Sequence, residues 1–223
     1  MSQCLPVKKS LPRLYAISDV DVLVARGLDP LDVCDAWLEA GVRLIQLRAK
    51  SMASGSMLTL AEALVVRTRA AGATLIVNDR ADIAAQCGAD GVHVGQDDLS
   101  PADVRLVVGA HAIVGLSTHT DAQVADAVTQ PVSYVAMGPV FGTSTKITGY
   151  DAVGLDQVAR AAAIAHAAGK SLVAIGGMTR ANAASALAAG ADSVAVISDL
   201  VGDGTENRRG LAERARAWMT TTV

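Results

Sequence analysis

Aromatic residues are scarce in this 223-residue chain: one Phe, three Tyr and two Trp, 3% in all. A core must therefore be aliphatic, and 51% hydrophobic residues supply ample material for one. Helices packed over buried parallel strands favour such branched aliphatics. An excess of one charge is also missing. The formal balance of −3 gives no broad attraction to nucleic acid or a membrane surface, so any anion site must be a local concentration of cations. Cysteine is limited to Cys4, Cys34 and Cys87. An odd, widely spaced set argues against a disulfide framework or a zinc knuckle and fits a reducing cytoplasm. Cys34 and Cys87 fall in helical patterns and read as packing residues. No apolar run follows Lys8 and Lys9, so no signal peptide is expected. The apolar segments are also interrupted too often for the ~20 residues of a bilayer span.

What the chain does have is alternation. Short apolar runs, read as strands, fall at Leu14–Ser18, Arg43–Arg48, Thr74–Asn78, Gly91–Gly95, Ala112–Ser117, Tyr134–Gly138, Ser171–Gly176 and Ser193–Ser198. Helical patterns separate them, and a last one near Glu206–Met219 closes the chain. Eight such units predict a single (β/α)8 barrel over residues 13–220, preceded by an arm at 1–12. A flavodoxin-like open sheet competes but leaves strands over. Asp29-Pro30 and Ser100-Pro101 read as helix starts. Gly41, Gly72, Gly88, Gly109, Gly169 and Gly190 read as helix stops. CGADGVHVG (Cys87–Gly95) echoes AGADSVAVI (Ala189–Ile197), half a barrel turn apart. Two connections are long, Lys50–Met57 and Val140–Gly154; both follow strand C-terminal ends, where such barrels place lids and binding loops.

Polar residues collect at the same ends. Gln46, Arg48 and Lys50 alternate along strand 2 and so address one volume. Strand 3 ends in Asn78-Asp79-Arg80, and strand 4 runs into Gln96-Asp97-Asp98. Asp79 and Asp98 on adjacent tips suit Mg²⁺, which takes one or two protein carboxylates and completes its shell with water and phosphate oxygens. Helix capping by Asp79 and Asp97 is the competing reading. Ser117 either hydrogen-bonds a ligand or caps the next helix; His119 is undecided, and His93 reads as a core histidine. Gly176 and Gly177 lie at the usual phosphate corner after strand 7, with Ile197 and Ser198 after strand 8. In GTSTKITG (Gly142–Gly149), Thr143 and Thr145 offer hydroxyls and Lys146 a point charge to phosphate. The two glycines would let the segment close. No Ser-His-Asp or Cys-His set favours covalent catalysis.

QLRAK (Gln46–Lys50), VND (Val77–Asp79), GQDD (Gly95–Asp98), GLSTH (Gly115–His119), TSTK (Thr143–Lys146) and IGG (Ile175–Gly177) come in the order found in the thiamine phosphate synthase family. The resemblance spans roughly Leu14 to Ser198. It implies a coupling of hydroxymethylpyrimidine diphosphate with hydroxyethylthiazole phosphate, giving thiamine phosphate and pyrophosphate. Gln46, Leu47, Arg48, Ala49, Lys50, Asn78, Ser117 and Lys146 would handle the pyrimidine diphosphate. Asp79 and Asp98 would hold Mg²⁺. Thr143, Thr145, Gly177, Ile197 and Ser198 would hold the thiazole phosphate, and Ser144 would belong to the substrate-binding set. The implied chemistry is a dissociative displacement in which Arg48, Lys50, Ser117 and Lys146 serve catalysis. Ala49 stands where the family usually has an acid, and Gly142 where a proline is common. A related thiazole tautomerase would leave Arg48, Lys50 and the two aspartates without a purpose, and a regulatory barrel would lack some of these groups. The sequence leaves room for a homo-oligomer.

Overall fold

A computed structural model of the chain describes residues 11–142 and 151–222. Eight strands close in sequence order: β1 (Leu14–Asp19), β2 (Leu44–Arg48), β3 (Thr74–Asn78), β4 (Gly91–Val94), β5 (Ile113–Thr118), β6 (Tyr134–Met137), β7 (Ser171–Ile175) and β8 (Ser193–Val196). Every neighbouring pair is parallel, and β8 returns to β1 through Leu14↔Val194 and Ala16↔Val196. The predicted strands are all present, most within a residue of their expected ends. The largest difference is at β8, where the backbone turns at Ile197 and Ser198 already opens a short helix.

Outside the strands lie α1 (Val20–Ala25), α2 (Pro30–Glu39), α3 (Ser54–Ala70), α4 (Ala81–Cys87), α5 (Pro101–Val108), α6 (Asp121–Ala127), α7 (Gly154–Ala167), α8 (Ala183–Ala188), α9 (Ser198–Val201) and α10 (Arg208–Thr221). Among the described residues, none is long and apolar enough to cross a membrane. The expected caps form. The Asp29 carboxylate accepts from the Leu31 and Asp32 N–H groups, and the Ser100 hydroxyl from that of Asp103. All six predicted stop glycines have positive φ. The Lys50–Met57 connection is shorter than expected, because α3 begins at Ser54 and Met57 is already buried in the core.

Strand alternation sorts the side chains into two cores. Outward residues such as Leu47, Val77, Val92 and Val194 pack beneath the helices, with Trp37 and Trp218 fully buried among them. Inward residues Tyr15, Ile17, Leu44, Ile76, Tyr134, Ala136, Val173 and Ala195 fill the barrel. This interior contains two of the few aromatics, and both are tyrosines in edge-to-face contact. The internal echo has a structural counterpart. Asp90, just before β4, accepts from the N–H of Leu75, the second residue of β3; Asp192, just before β8, accepts from the N–H of Leu172, the second residue of β7, each at 2.8 Å.

Candidate active site

The C-terminal strand ends form one mouth with two chemically distinct halves. On the first, alternation along β2 delivers Gln46 and Arg48 inward, and Lys50 follows past the strand end. Arg48 pairs with Asp19, whose side chain is 1% exposed. The second Asp19 oxygen accepts from the Val22 N–H and caps α1, so one carboxylate fixes both helix and guanidinium. Sequence reasoning missed Asp19. Its signal was present, since Tyr15, Ile17 and Asp19 share the inward period of β1.

Asp79 has φ 61°, the single positive value outside glycine among the described residues, and its carboxylate pairs with Lys50. Burial raises its pKa; Lys50 opposes the rise, and the Asp98 carboxyl within hydrogen-bonding reach adds to it. Asp98 is itself held by the Gly95 N–H at 2.7 Å. Capping does not account for these residues: α4 has no side-chain cap, and Ser100 caps α5. Two carboxyls brought within hydrogen-bonding reach of each other form a donor set that suits a hard dication. The described residues contain no group of three or more His, Cys, Asp or Glu able to enclose a metal. Such a dication would therefore take its other ligands from water or phosphate. Asn78 lies in register with His93 at the same level of the barrel.

The second half is a cavity of about 470 Å³ whose walls include Ser117, His119, Gly176, Gly177, Ile197 and Ser198. Gly176 and Gly177 have φ 97° and 64°, and the backbone from Pro139 to Gly142 passes directly over them. A Cβ on Gly177 would lie 2.6 Å from the Gly142 carbonyl oxygen. The Val140 and Phe141 N–H groups bond the Ile175 and Gly176 carbonyls, which fixes that approach. Ile197 and Ser198 begin α9 beside this corner. A ring nitrogen of His119 lies 2.5 Å from the Gly138 carbonyl, joining the β5 and β6 ends. Arg214 of α10 reaches the same cavity while paired with Glu206.

One expectation changes. Leu47 and Ala49 are buried with the helix-facing core, because they occupy the outward positions of the alternation; their side chains are not in the mouth. Thr143, Ser144, Thr145 and Lys146 lie outside the described residues. His93, read as a core histidine, is buried and hydrogen-bonded as expected, and through Ser117 it also reaches the site. Its Nε2 is 2.9 Å from Ser117 Oγ and its Nδ1 is 2.9 Å from the Tyr134 hydroxyl. Gln96 donates to the Ser117 carbonyl at 2.6 Å and steadies the same strand end.

Comparison with known proteins finds relatives along most of the chain. A family model described as thiamine monophosphate synthase matches residues 14–200. A thiamine-phosphate synthase of Koribacter versatilis is 46% identical over 198 residues, covering 86% of this chain and 90% of the relative. One from Roseiflexus castenholzii is 44% identical, covering 85% and 81%. The solved structure of a thiamine phosphate pyrophosphorylase from Pyrococcus furiosus superposes with a TM-score of 0.79 at 27% identity, covering 97% and 98%. With its barrel, its motif order and matches that extend over most of both partners, the chain belongs to the thiamine monophosphate synthase family.

Proposed function

We propose that this barrel joins hydroxymethylpyrimidine diphosphate to hydroxyethylthiazole phosphate, releasing pyrophosphate and giving thiamine phosphate by a dissociative displacement. The activity is that of a transferase, thiamine-phosphate synthase. The observation that carries the mechanism is the divided mouth: cations and paired carboxyls on one side, a glycine-lined cavity on the other. Arg48, braced by Asp19, and Lys50 face the diphosphate. Negative charge grows on that group as its bond to the pyrimidine methylene breaks, so cations there act most strongly in the transition state. Gln46, Asn78 and Ser117 hold the pyrimidine ring. Gly177, Ile197 and Ser198 hold the thiazole phosphate, which keeps the thiazole nitrogen beside the carbon it must capture. Asp79 and Asp98 would hold Mg²⁺, which when bound supplies Lewis-acid neutralisation of the departing pyrophosphate. The two described cysteines are free thiols, which suits a cytoplasmic setting.

A coupling assay with both substrates, with and without Mg²⁺, tests this reading. Asp79→Ala and Asp98→Ala should each lower turnover on the order of 10²-fold or more, the usual scale for losing a transition-state charge stabiliser, while the fold persists. Near-normal Mg²⁺-dependent turnover in both variants would remove the metal assignment. Failure of the native chain to form thiamine phosphate from the complete mixture would remove the function.

A further inference from the structure

We propose that Gln46, Tyr15, Tyr134, His93 and Ser117 form one directed hydrogen-bond chain that presents an acceptor at Gln46 and a donor at Ser117, and so selects a 4-aminopyrimidine over its 4-oxo counterpart. The proposal rests on the coupling reaction above and adds the specificity of its pyrimidine half. The contacts are continuous. Gln46 Nε2 donates to the Tyr15 hydroxyl at 2.7 Å, and the Tyr15 and Tyr134 hydroxyls lie 3.0 Å apart. The Tyr134 hydroxyl is 2.9 Å from His93 Nδ1, and His93 Nε2 is 2.9 Å from Ser117 Oγ. The barrel makes room for this path. A Cβ on Gly115 would lie 2.4 Å from the Tyr134 oxygen and 2.5 Å from His93 Nδ1, so that position has to lack a side chain.

Direction follows from counting protons. An amide nitrogen donates and cannot accept, so the Tyr15 oxygen receives and its single proton passes on to Tyr134. Both phenols are fully buried, and burial raises their pKa well above the ordinary value, so each keeps that proton. Tyr134 then donates to His93 Nδ1, which must be the bare nitrogen. His93 therefore carries its proton on Nε2 and donates it to Ser117. The serine hydroxyl, having accepted, turns its own proton toward the mouth. At the other end the amide nitrogen is engaged with Tyr15, and the Gln46 carbonyl is the acceptor left for a ligand. A 4-aminopyrimidine presents the complement, an amino donor beside acceptor ring nitrogens. The 4-oxo ring reverses that edge, with a carbonyl acceptor beside a ring N–H. Rotating the Gln46 amide would reverse every bond in the chain, place the His93 proton on Nδ1, and match the oxo ring instead.

Tyr15, Tyr134 and His93 act here through Gln46 and Ser117 and are positioning residues. Long-range ¹H–¹⁵N NMR of the native full-length chain, with His93 assigned by a His93→Asn variant, should give the Nε2–H tautomer; an Nδ1–H tautomer overturns the proposal. Activity provides the second arm, using the 4-amino diphosphate and its 4-oxo analogue with thiazole phosphate. The native chain should strongly prefer the amino compound in kcat/KM, because a mismatched edge leaves buried polar groups unpaired. Tyr134→Phe deletes one oxygen and should shrink that preference by at least about tenfold, the scale of one lost buried hydrogen bond. The KM for thiazole phosphate should stay close to native. A merely structural role would lower both activities together and leave the ratio unchanged, which also overturns the proposal. If Tyr134→Phe does not fold, Tyr15→Phe and the native tautomer decide. Loss of all coupling in the native chain would refute the reaction itself, whereas the tautomer is read independently of turnover.

Discussion

Arg48 would be a poorly aimed cation without Asp19. A guanidinium on a long side chain loses several rotatable bonds of freedom when fixed, and the buried carboxylate supplies that fixing before substrate arrives. Asp19→Asn keeps the shape and removes the charge. It should lower kcat/KM for the pyrimidine diphosphate on the order of 10- to 100-fold, the usual cost of misplacing a reacting group. The KM for thiazole phosphate should change little, and steady-state kinetics with each substrate varied checks the division. At the opposite corner, any side chain on Gly177 meets the Phe141–Gly142 backbone and must adopt φ 64°. Gly177→Ala should therefore raise the KM for thiazole phosphate by roughly tenfold or more, since positive φ and contact strain each cost ~1 kcal/mol or more. An unchanged KM, measured at saturating pyrimidine diphosphate, would remove Gly177 from that subsite. At this scale the charged and glycine positions were legible because residue type and alternation announce them. The tyrosine–histidine path was not. Tyr15, His93 and Tyr134 each look like ordinary core residues until barrel closure brings three distant strands together.

Helix starts were legible from local chemistry alone, because Asp29 and Ser100 satisfy N–H groups two or three residues away. The α9–α10 corner was not, since its contacts join separate elements. Trp218 donates to Asp199 at 2.8 Å, and Arg214 grips Glu206 through Nε at 3.0 and 3.1 Å. Those contacts tie α10 to the cavity wall beside Ser198. The Arg214 hydrogen bonds hold the Glu206 carboxyl below its ordinary value of 4.5. A depressed carboxyl stabilises the fold above the unfolded value, and that stabilisation is lost as pH falls from 4.5 through the folded one. Glu206→Gln should thus be less stable than the parent at neutral pH by under about 1 kcal/mol, given its partial exposure. The gap should close on acidification, as followed by urea melts between neutral and acidic pH. A gap that persists at low pH would assign the effect to packing rather than charge.

The two strand clamps operate at the scale of the whole barrel, at the end away from the mouth. Asp90→Ala and Asp192→Ala each strip an N–H near the start of a β-strand of its side-chain acceptor, and each should cost ~1–3 kcal/mol in urea unfolding. The clamps share no partners, so the double variant should equal the sum within ~0.5 kcal/mol. Substitutions along the tyrosine–histidine path should behave oppositely. Once Tyr134→Phe has broken the chain, Tyr15→Phe has less left to remove, and the pair should fall short of additive by ~0.5–3 kcal/mol. The eight-fold fold itself was readable because period and punctuation recur along the chain; which inward residues touch across the axis depends on closure and was not. That contrast has a consequence for recombination between relatives. Each clamp lies inside its own half, Asp90 with β3 and Asp192 with β7, so a half-barrel exchanged from another family member brings its own brace. The path from Tyr15 to Tyr134 to His93 to Ser117 crosses between the halves three times. Chimaeras divided after β4 should therefore fold more readily than they discriminate substrates, unless the donor half carries matching partners at every crossing.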